Sequence, residues 1–230
     1  FRGKNGSKGE NRESMKVSIY CIPGLGQDHR IFEGLAIPNA DIHFLDWIEA
    51  VEGESMQEYA KRFAEQLPDD PNICLLGVSL GGIVSVEISR IRPIKKLYLI
   101  STVKRTSEMP GYMAWLEKLP SNSKNAAKFA IDASITLKPF YDQANAAGNE
   151  LFHKMVKAAS LDFINWGIKA IAQWNMEEEL NCPFLHIHGT ADLVFPIKNI
   201  HQAMTFKGGT HYMIYNNASD ISNWIQTDIS

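Results

Sequence analysis

Features that would place this chain in a specialised class of protein are scarce. Only three of its 230 residues are cysteines, and Cys21, Cys74 and Cys182 follow no regular spacing. Their odd number argues against a disulfide framework or a zinc site, so we expect free thiols and a reducing, cytoplasmic location. No apolar run approaches the roughly 20 residues that a membrane-spanning helix needs. The sequence therefore predicts no insertion into a membrane.

An excess of positive charge is also missing. The chain has 23 Lys and Arg against 26 Asp and Glu, which gives a formal net charge of −3. That balance leaves no electrostatic footprint for nucleic acid or for an anionic membrane surface. With 45% hydrophobic and 21% charged residues, the composition is typical of one globular domain with a full core.

The first 14 residues lack any apolar segment. They read FRGKNGSKGENRES, so they have no hydrophobic region of the kind that a secretory signal requires. We interpret residues 1–14 as a flexible leader, either of artificial origin or disordered, and Met15 as a natural start. The remaining residues, 15–230, are expected to form a single domain.

Short apolar segments alternate with helical patterns through most of this domain. Strands are predicted at 16–22, 41–47, 72–76, 96–101, 184–188 and 203–206, and helices at 30–35, 56–67, 83–91, 196–202 and 218–227. The helix at 56–67 opens with Ser55 and Glu58 in a capping-box pattern. The alternation predicts an α/β fold with a mostly parallel sheet of about six strands and helices on both faces.

The pattern changes between about residues 104 and 180. This stretch has no convincing strand, and helical patches occur at 112–119, 123–134, 139–146, 150–159 and 161–174. An insertion between parallel strands usually covers their C-terminal ends, where ligands bind in such sheets. Most of its many aromatic residues must pack its own core, and a few are expected to line an apolar pocket. Candidate pocket residues are Trp115 and Trp166 here, together with His29 and Val194 on loops of the sheet.

One serine stands between a predicted strand and a predicted helix, in the segment Gly77-Val78-Ser79-Leu80-Gly81-Gly82. This is the G-x-S-x-G nucleophile-elbow pattern in the context that it requires. So tight a turn predicts a positive φ at Ser79, with glycines relieving the crowding. The plainer alternative is an ordinary strand-to-helix connection in which Ser79 is an N-cap.

Two further residues could activate this hydroxyl. A serine needs a base within hydrogen-bond reach, and the base needs an orienting carboxylate. His211 follows a Gly-Gly loop after the last predicted strand, and Asp192 follows the strand before it. Asp46 also ends a strand, but Asp192 is on the loop that is better placed to face the histidine.

Together these segments resemble the α/β-hydrolases, in particular the small serine esterases and thioesterases, over essentially all of 15–230. The resemblance rests on Pro23-Gly24-Leu25-Gly26, the elbow, His188-Gly189-Thr190-Ala191-Asp192 and Gly209-Thr210-His211, in that order. It implies that Ser79 is the nucleophile, His211 the general base and Asp192 its orienting acid. It also implies an oxyanion hole made by the backbone N–H groups of Leu25 and Leu80, with the 104–180 insertion as a helical cap. The chain departs from many relatives in having six strands rather than eight, and Pro23-Gly24 where they have His-Gly.

Two histidines raise the question of a metal. His186 and His188 are two residues apart on one predicted strand, so both face the same side, but no third ligand is visible at suitable spacing. We expect no metal and no organic cofactor.

The leading functional hypothesis is a serine hydrolase that cleaves a small-molecule ester or thioester with an apolar part through an acyl-enzyme on Ser79. A second hypothesis keeps the triad and changes the reaction to C–C bond hydrolysis, a lyase reaction or acyl transfer. A third is a non-catalytic binding protein on a hydrolase scaffold. The sequence does not select the substrate.

Overall fold

A single parallel sheet organises the structure, a computed structural model that describes residues 16–113 and 146–230. Its six strands are paired in the order β2-β1-β3-β4-β5-β6, and every pair is parallel. The strands are β1 Val17–Ile22, β2 Ala40–Phe44, β3 Cys74–Val78, β4 Lys96–Ile100, β5 Phe184–Gly189 and β6 Met204–Phe206. The predicted strand number and the parallel architecture are confirmed.

Six α-helices accompany the sheet in the described ranges. They are α1 Met56–Phe63, α2 Leu80–Ile91, α3 Ala146–Ala158, α4 Leu161–Gln173, α5 Met213–Asn216 and α6 Ala218–Ile229. The capping box predicted at the start of α1 is present, because Ser55 and Glu58 each accept a hydrogen bond from the other's backbone N–H. In the described residues, no helix combines the length and the apolar character that a bilayer span requires.

Two predicted helices are shorter than the sequence pattern indicates. The segments predicted at 30–35 and 196–202 form single 3₁₀ turns, His29–Phe32 and Ile197–Asn199. Gly34 lies inside the first predicted segment, where glycine is a poor helix former, and Ile200 has an extended backbone that ends the second segment. Asp28 caps the first turn by accepting a hydrogen bond from the N–H of Arg30.

The central strands are buried because the core extends on both faces of the sheet. All five residues of β3 are buried, and so are four of the five residues of β4. One core layer contains α1 and much of α2 and α4, and the other contains residues of α3, α5 and α6. Such continuous apolar strands are what a parallel sheet covered on both faces demands.

The stretch between β4 and β5 contains no strand in its described parts, 104–113 and 146–180. Helices α3 and α4 coincide with the patches predicted at 150–159 and 161–174, and Ser160 caps α4 through the N–H of Phe163. The patch predicted at 123–134, most of those at 112–119 and 139–146, Trp115 and the leader 1–14 lie outside the described residues.

The strand order fixes where a ligand can approach. The chain runs from β1 outward to β2 and then returns to place β3 on the other side of β1. At such a switch point the loops after the strands diverge and leave a crevice at their carboxyl ends. The loop after β1 and the turn after β3 border this crevice.

Candidate active site

Ser79 occupies a strained turn between β3 and α2. Its backbone has φ 52° and ψ −117°, so the predicted positive φ is present. Residues other than glycine rarely adopt this backbone conformation. It costs on the order of 1–3 kcal/mol and persists only where the surrounding structure enforces it. Here the Ser79 N–H donates to the Ile100 carbonyl (3.1 Å), and the Thr102 hydroxyl donates to the Ser79 carbonyl (2.6 Å). The turn is thus held from β4.

Glycines flank the turn because there is no room for a methyl group. A Cβ on Gly77 would lie 2.4 Å from the Gly81 carbonyl oxygen, and one on Gly81 would lie 2.2 Å from that of Ile22. Both distances are shorter than any real carbon–oxygen contact. The elbow therefore depends on backbone packing directly against backbone, with β1 as the second wall.

The loops after β5 and β6 bring the two partners to this serine. His211 Nε2 lies 3.0 Å from Ser79 Oγ, and His211 Nδ1 lies 2.9 Å from Asp192 Oδ2. A carboxylate can only accept, so Nδ1 carries a proton and donates it to Asp192. Nε2 of the neutral ring is then an acceptor for the serine hydroxyl. These three residues, the triad, form one hydrogen-bonded chain.

Asp192 is a buried, ionised anchor. Its second oxygen, Oδ1, accepts hydrogen bonds from the N–H groups of Val194 and Phe195, each at 2.8 Å. Burial alone would raise the pKa of Asp192, but the electrostatic attraction and the hydrogen bond of His211, together with His188 and the Phe195 N–H, bring it below its ordinary value. The carboxylate therefore stays charged where it can orient His211.

A second histidine, His188, also touches this carboxylate. Its Nε2 lies 2.7 Å from the Phe195 carbonyl and 3.3 Å from Asp192 Oδ2. Since a carbonyl can only accept, Nε2 carries the proton and Nδ1 is bare. Burial lowers the pKa of His188, so the ring is held neutral. Sequence reasoning considered His188 as a possible metal ligand and gave it no part in holding the carboxylate.

His186 shares the buried face of β5 with His188. The two rings are edge to face with centroids 5.4 Å apart, and His186 Nε2 donates to the Thr102 carbonyl (3.1 Å). Burial lowers the pKa of His186 well below its ordinary value. In the described ranges, no group of three or more His, Cys, Asp or Glu residues is arranged to hold a metal ion.

The loop after β1 passes close to the serine. A Cβ on Gly24 would lie 3.3 Å from Ser79 Cβ. The N–H groups of Leu25 and Leu80 donate no hydrogen bond within the described part of the chain. Leu80 is the first residue of α2, where the helix dipole favours negative charge. Both N–H groups are therefore free to donate to a bound group.

Two side chains that sequence reasoning missed hold this loop from either side. The Gln27 Oε1 accepts from the Gly24 N–H (3.0 Å), and the Trp47 indole N–H donates to the Gly24 carbonyl (3.2 Å). Neither residue carried a signal in the sequence, because each acts through a contact of its side chain with the Gly24 backbone.

The remaining predicted pocket residues are dispersed. His29 has a half-exposed side chain 3.7 Å from the Asp46 carboxylate. Trp166 is 9% exposed, packs on Tyr59 with ring centroids 4.2 Å apart, and donates its indole N–H to the Glu54 carbonyl. Val194 contributes its N–H to Asp192, and its carbonyl accepts from the Tyr112 hydroxyl.

A groove opens beside the loop after β1. Its volume is about 240 Å³. Neither the triad nor His29, Trp166 or Val194 is among its lining residues, which are Gly26, Gln27, Asp28, Asp46, Trp47, Ile48, Glu49, Met155, Ala158, Ala159, Ser160 and Phe163. The groove therefore lies between the loop after β1, the segment after β2 and helices α3 and α4.

Comparison with solved structures identifies the architecture. An esterase from Thermogutta terrifontis superposes with a TM-score of 0.70 at 15% identity, covering 94% of this chain and 90% of the esterase. MenH from S. aureus gives 0.72 at 14% identity and covers 92% of each chain. The chain has the α/β-hydrolase fold. The RedJ thioesterase of Streptomyces coelicolor shares this fold with a TM-score of 0.61 at 15% identity, covering 92% of this chain and 90% of its own.

Comparison of the sequence alone does not reveal this relationship. No protein-family model and no curated protein matches it. The α/β-hydrolase fold is therefore visible through its strand order and loop positions, while the chemistry depends on the residues of the site.

Proposed function

We propose that the chain is a serine hydrolase that cleaves a carboxylic ester or thioester through an acyl-enzyme on Ser79. The observation that carries the proposal is the hydrogen-bonded chain from Ser79 Oγ through His211 to the buried Asp192 carboxylate. Acyl transfer requires a nucleophile with a base within hydrogen-bond reach. The Ser79 hydroxyl meets this requirement, because it lies on a strained turn at the N-terminus of α2 with a base 3.0 Å away.

In the first half-reaction, His211 Nε2 takes the hydroxyl proton while Ser79 Oγ bonds to the carbonyl carbon. The carbonyl oxygen becomes an oxyanion, which the N–H groups of Leu25 and Leu80 stabilise. Each such donor typically contributes about 10²–10³ in rate. The tetrahedral intermediate then expels the alcohol or thiol, which takes the proton from His211. Asp192 keeps the ring oriented and stabilises its charged form.

In the second half-reaction, water replaces the alcohol. His211 removes a proton from the water as its oxygen attacks the acyl carbon, and the collapse of the second intermediate returns the proton to Ser79 Oγ. The acid leaves and the serine is restored. No metal and no organic cofactor takes part in these steps.

An apolar part of the substrate is supported by the groove. Trp47, Ile48, Met155 and Phe163 contribute to its walls, and burying apolar surface there would favour a substrate with a hydrocarbon portion. The esterase and thioesterase names of structures with the same fold agree with this reaction class.

The proposal is tested by labelling with a fluorophosphonate probe, read by intact mass. Wild type should gain one adduct, and Ser79→Ala should gain none. Ser101→Ala is the matched control, because Ser101 also has a positive φ (47°) but is fully buried at the end of β4. That variant should label like wild type. Folded wild type that stays unlabelled and inert toward 4-nitrophenyl esters would overturn the proposal and favour a binding protein.

A further inference from the structure

A buried amide faces the groove with its donor unused. Gln27 is 8% exposed and belongs to the lining of the groove. Its Oε1 accepts from the Gly24 N–H, and because an N–H group can only be matched by an oxygen, this contact fixes which end of the amide is which. The Nε2 group donates to no residue in the described ranges. The exposed remainder of Gln27 thus presents an N–H donor to the groove.

One lining residue of the groove, Gln27, lies close to the nucleophile. Gln27 is held against Gly24, and the position of a Cβ on Gly24 would be 3.3 Å from Ser79 Cβ. Gln27 thus connects the lining of the groove to the surroundings of Ser79, and in the inference below a group attached to an ester carbonyl at Ser79 lies along this loop and in the groove. The volume of about 240 Å³ is the space of roughly eight water molecules. A chain of about six to eight heavy atoms would occupy it.

The charge around the groove selects against anions. Three carboxylates, those of Asp28, Asp46 and Glu49, belong to its lining. Asp28 is paired with Arg30 in a two-point contact, and Asp46 lies 3.7 Å from His29. The Glu49 carboxylate has no partner in the described ranges. A carboxylate or phosphate entering the groove would meet uncompensated negative charge.

We propose that Gln27 is a specificity-determining residue whose amide N–H binds a neutral oxygen acceptor on an otherwise apolar substrate group held in the groove. A ketone, amide or ether oxygen satisfies the donor, a plain hydrocarbon leaves it unsatisfied, and an anion is rejected by the carboxylates. A buried donor without its acceptor is costly, so the site discriminates against substrates that lack one. This inference rests on the proposed function and names its substrate class.

The test compares esters that differ at one position. The acyl series consists of 4-nitrophenyl esters with a plain, a ketone or a carboxylate end: the hexanoate, the 5-oxohexanoate and the adipate monoester. The octanoate, the 7-oxooctanoate and the suberate monoester repeat the comparison with a chain two carbons longer. The alcohol series contains the acetates of 1-hexanol, 6-hydroxy-2-hexanone and 6-hydroxyhexanoate. For wild type we expect kcat/KM for the ketone to exceed that for the plain chain about tenfold in one series. The series that shows this preference identifies which side of the ester fills the groove.

Two substitutions distinguish the amide donor of Gln27 from the support that its oxygen gives to the loop after β1. Gln27→Glu keeps an oxygen for the Gly24 N–H and removes the amide donor, so the ratio of ketone to plain kcat/KM should fall to about 1 or below. Gln27→Met removes both groups, so the same ratio should fall and kcat should drop for every ester. If one variant does not fold, the ratio is read from the other. Glu49→Gln, the matched control, should relax the rejection of the adipate and leave the ketone preference in place.

The outcomes distinguish this inference from the proposed function. Absence of labelling and of hydrolysis for every ester would mean that the proposed function fails. Hydrolysis with equal kcat/KM for ketone and plain chains in both series would overturn the Gln27 inference alone. A ketone preference that survives in both Gln27→Glu and Gln27→Met would also overturn it, since the donor would then lie elsewhere.

Discussion

The triad and the groove are held in shape by different kinds of contact. Around Ser79, backbone packs on backbone so closely that Gly77 and Gly81 admit no side chain. The walls of the groove come from two stretches that are far apart in the chain, 26–49 and 155–163, and include the side chains of Trp47 and Phe163. The first region can hold only one geometry, whereas the second can be altered one side chain at a time. We therefore expect substitutions at the triad to abolish the reaction and substitutions in the groove to redirect it.

The largest expected effect is the loss of the triad as a unit. Ser79→Ala and His211→Ala should each lower kcat for a 4-nitrophenyl ester by about 10⁴–10⁶, and the double variant should be no slower than the singles, because groups that act together are not additive. The measurement is steady-state kinetics for the three variants. If the loss in kcat of the double variant equalled the product of the losses of the single variants, the two residues would act independently.

Next in size is the steric test of the elbow. Gly81→Ala forces a methyl group to within 2.2 Å of the Ile22 carbonyl and should lower the free energy of unfolding by about 3 kcal/mol or more. Gly111→Ala is the matched control, since a Cβ there meets nothing within 4 Å. It should change stability by less than about 0.5 kcal/mol. Urea unfolding curves measure both, and equal effects would contradict the close packing of the elbow.

The buried histidines behind the triad predict a loss of stability in mild acid. Burial lowers the pKa of His186 and of His188, so below about pH 6.5 the unfolded chain binds protons that the folded chain does not. Stability should therefore fall as pH decreases from about 6.5 toward the folded pKa of each histidine, with a slope of at most about 1.4 kcal/mol per unit for each. His186→Gln keeps a donor for the Thr102 carbonyl and cannot titrate in this range. Urea unfolding at pH 7, 6 and 5 should show a shallower slope for this variant, and an unchanged slope would rule His186 out as a source.

The Asp192 carboxylate affects stability at a lower pH than the two buried histidines do. The pKa of Asp192 lies below its ordinary value of 3.8, so its contribution to stability is present above that pH and is lost as pH falls through the folded pKa. The histidine effect therefore appears first on acidification, and the two can be separated by pH alone.

The smallest effects belong to the groove. Met155→Ala widens one wall and should shift the preferred acyl chain of 4-nitrophenyl esters by about one to two carbons, with a change in kcat/KM of a few fold to about tenfold. The rate of labelling by a small fluorophosphonate should stay within about twofold of wild type. A matching loss of labelling would mean that the substitution disturbs the triad.

Sequence alone predicted the sheet, and it pointed to the turn at Ser79 and to Asp192 and His211, because each carries a local pattern. Glycines mark the elbow since the chain cannot turn there with larger residues, and Ser79, Asp192 and His211 each follow a predicted strand. The contributions of Gln27, Trp47 and His188 were not predicted. Their roles come from contacts with Gly24 and Asp192 that no spacing along the chain encodes.

The groove was least accessible to sequence reasoning. It joins residues 26–49 to residues 155–163, and such long-range packing leaves no periodic signal. Trp166 illustrates the difficulty, because a tryptophan on a helix of the insertion is as well suited to a core as to a pocket. In the structure it belongs to the aromatic core around Tyr59.

The two hydrogen bonds that hold the Gly24 backbone have a consequence for how the size of the substrate affects the rate. Its N–H and its carbonyl are held by Gln27 and Trp47, two side chains that also line the groove. A group that filled the groove would contact both side chains and, through the Gly24 carbonyl held by Trp47, would affect the position of the Leu25 N–H in the same peptide unit. Binding energy gained far from the ester carbonyl can then be expressed as catalytic rate rather than as affinity. Esters too short to reach the groove should accordingly react with a lower kcat at little change in KM.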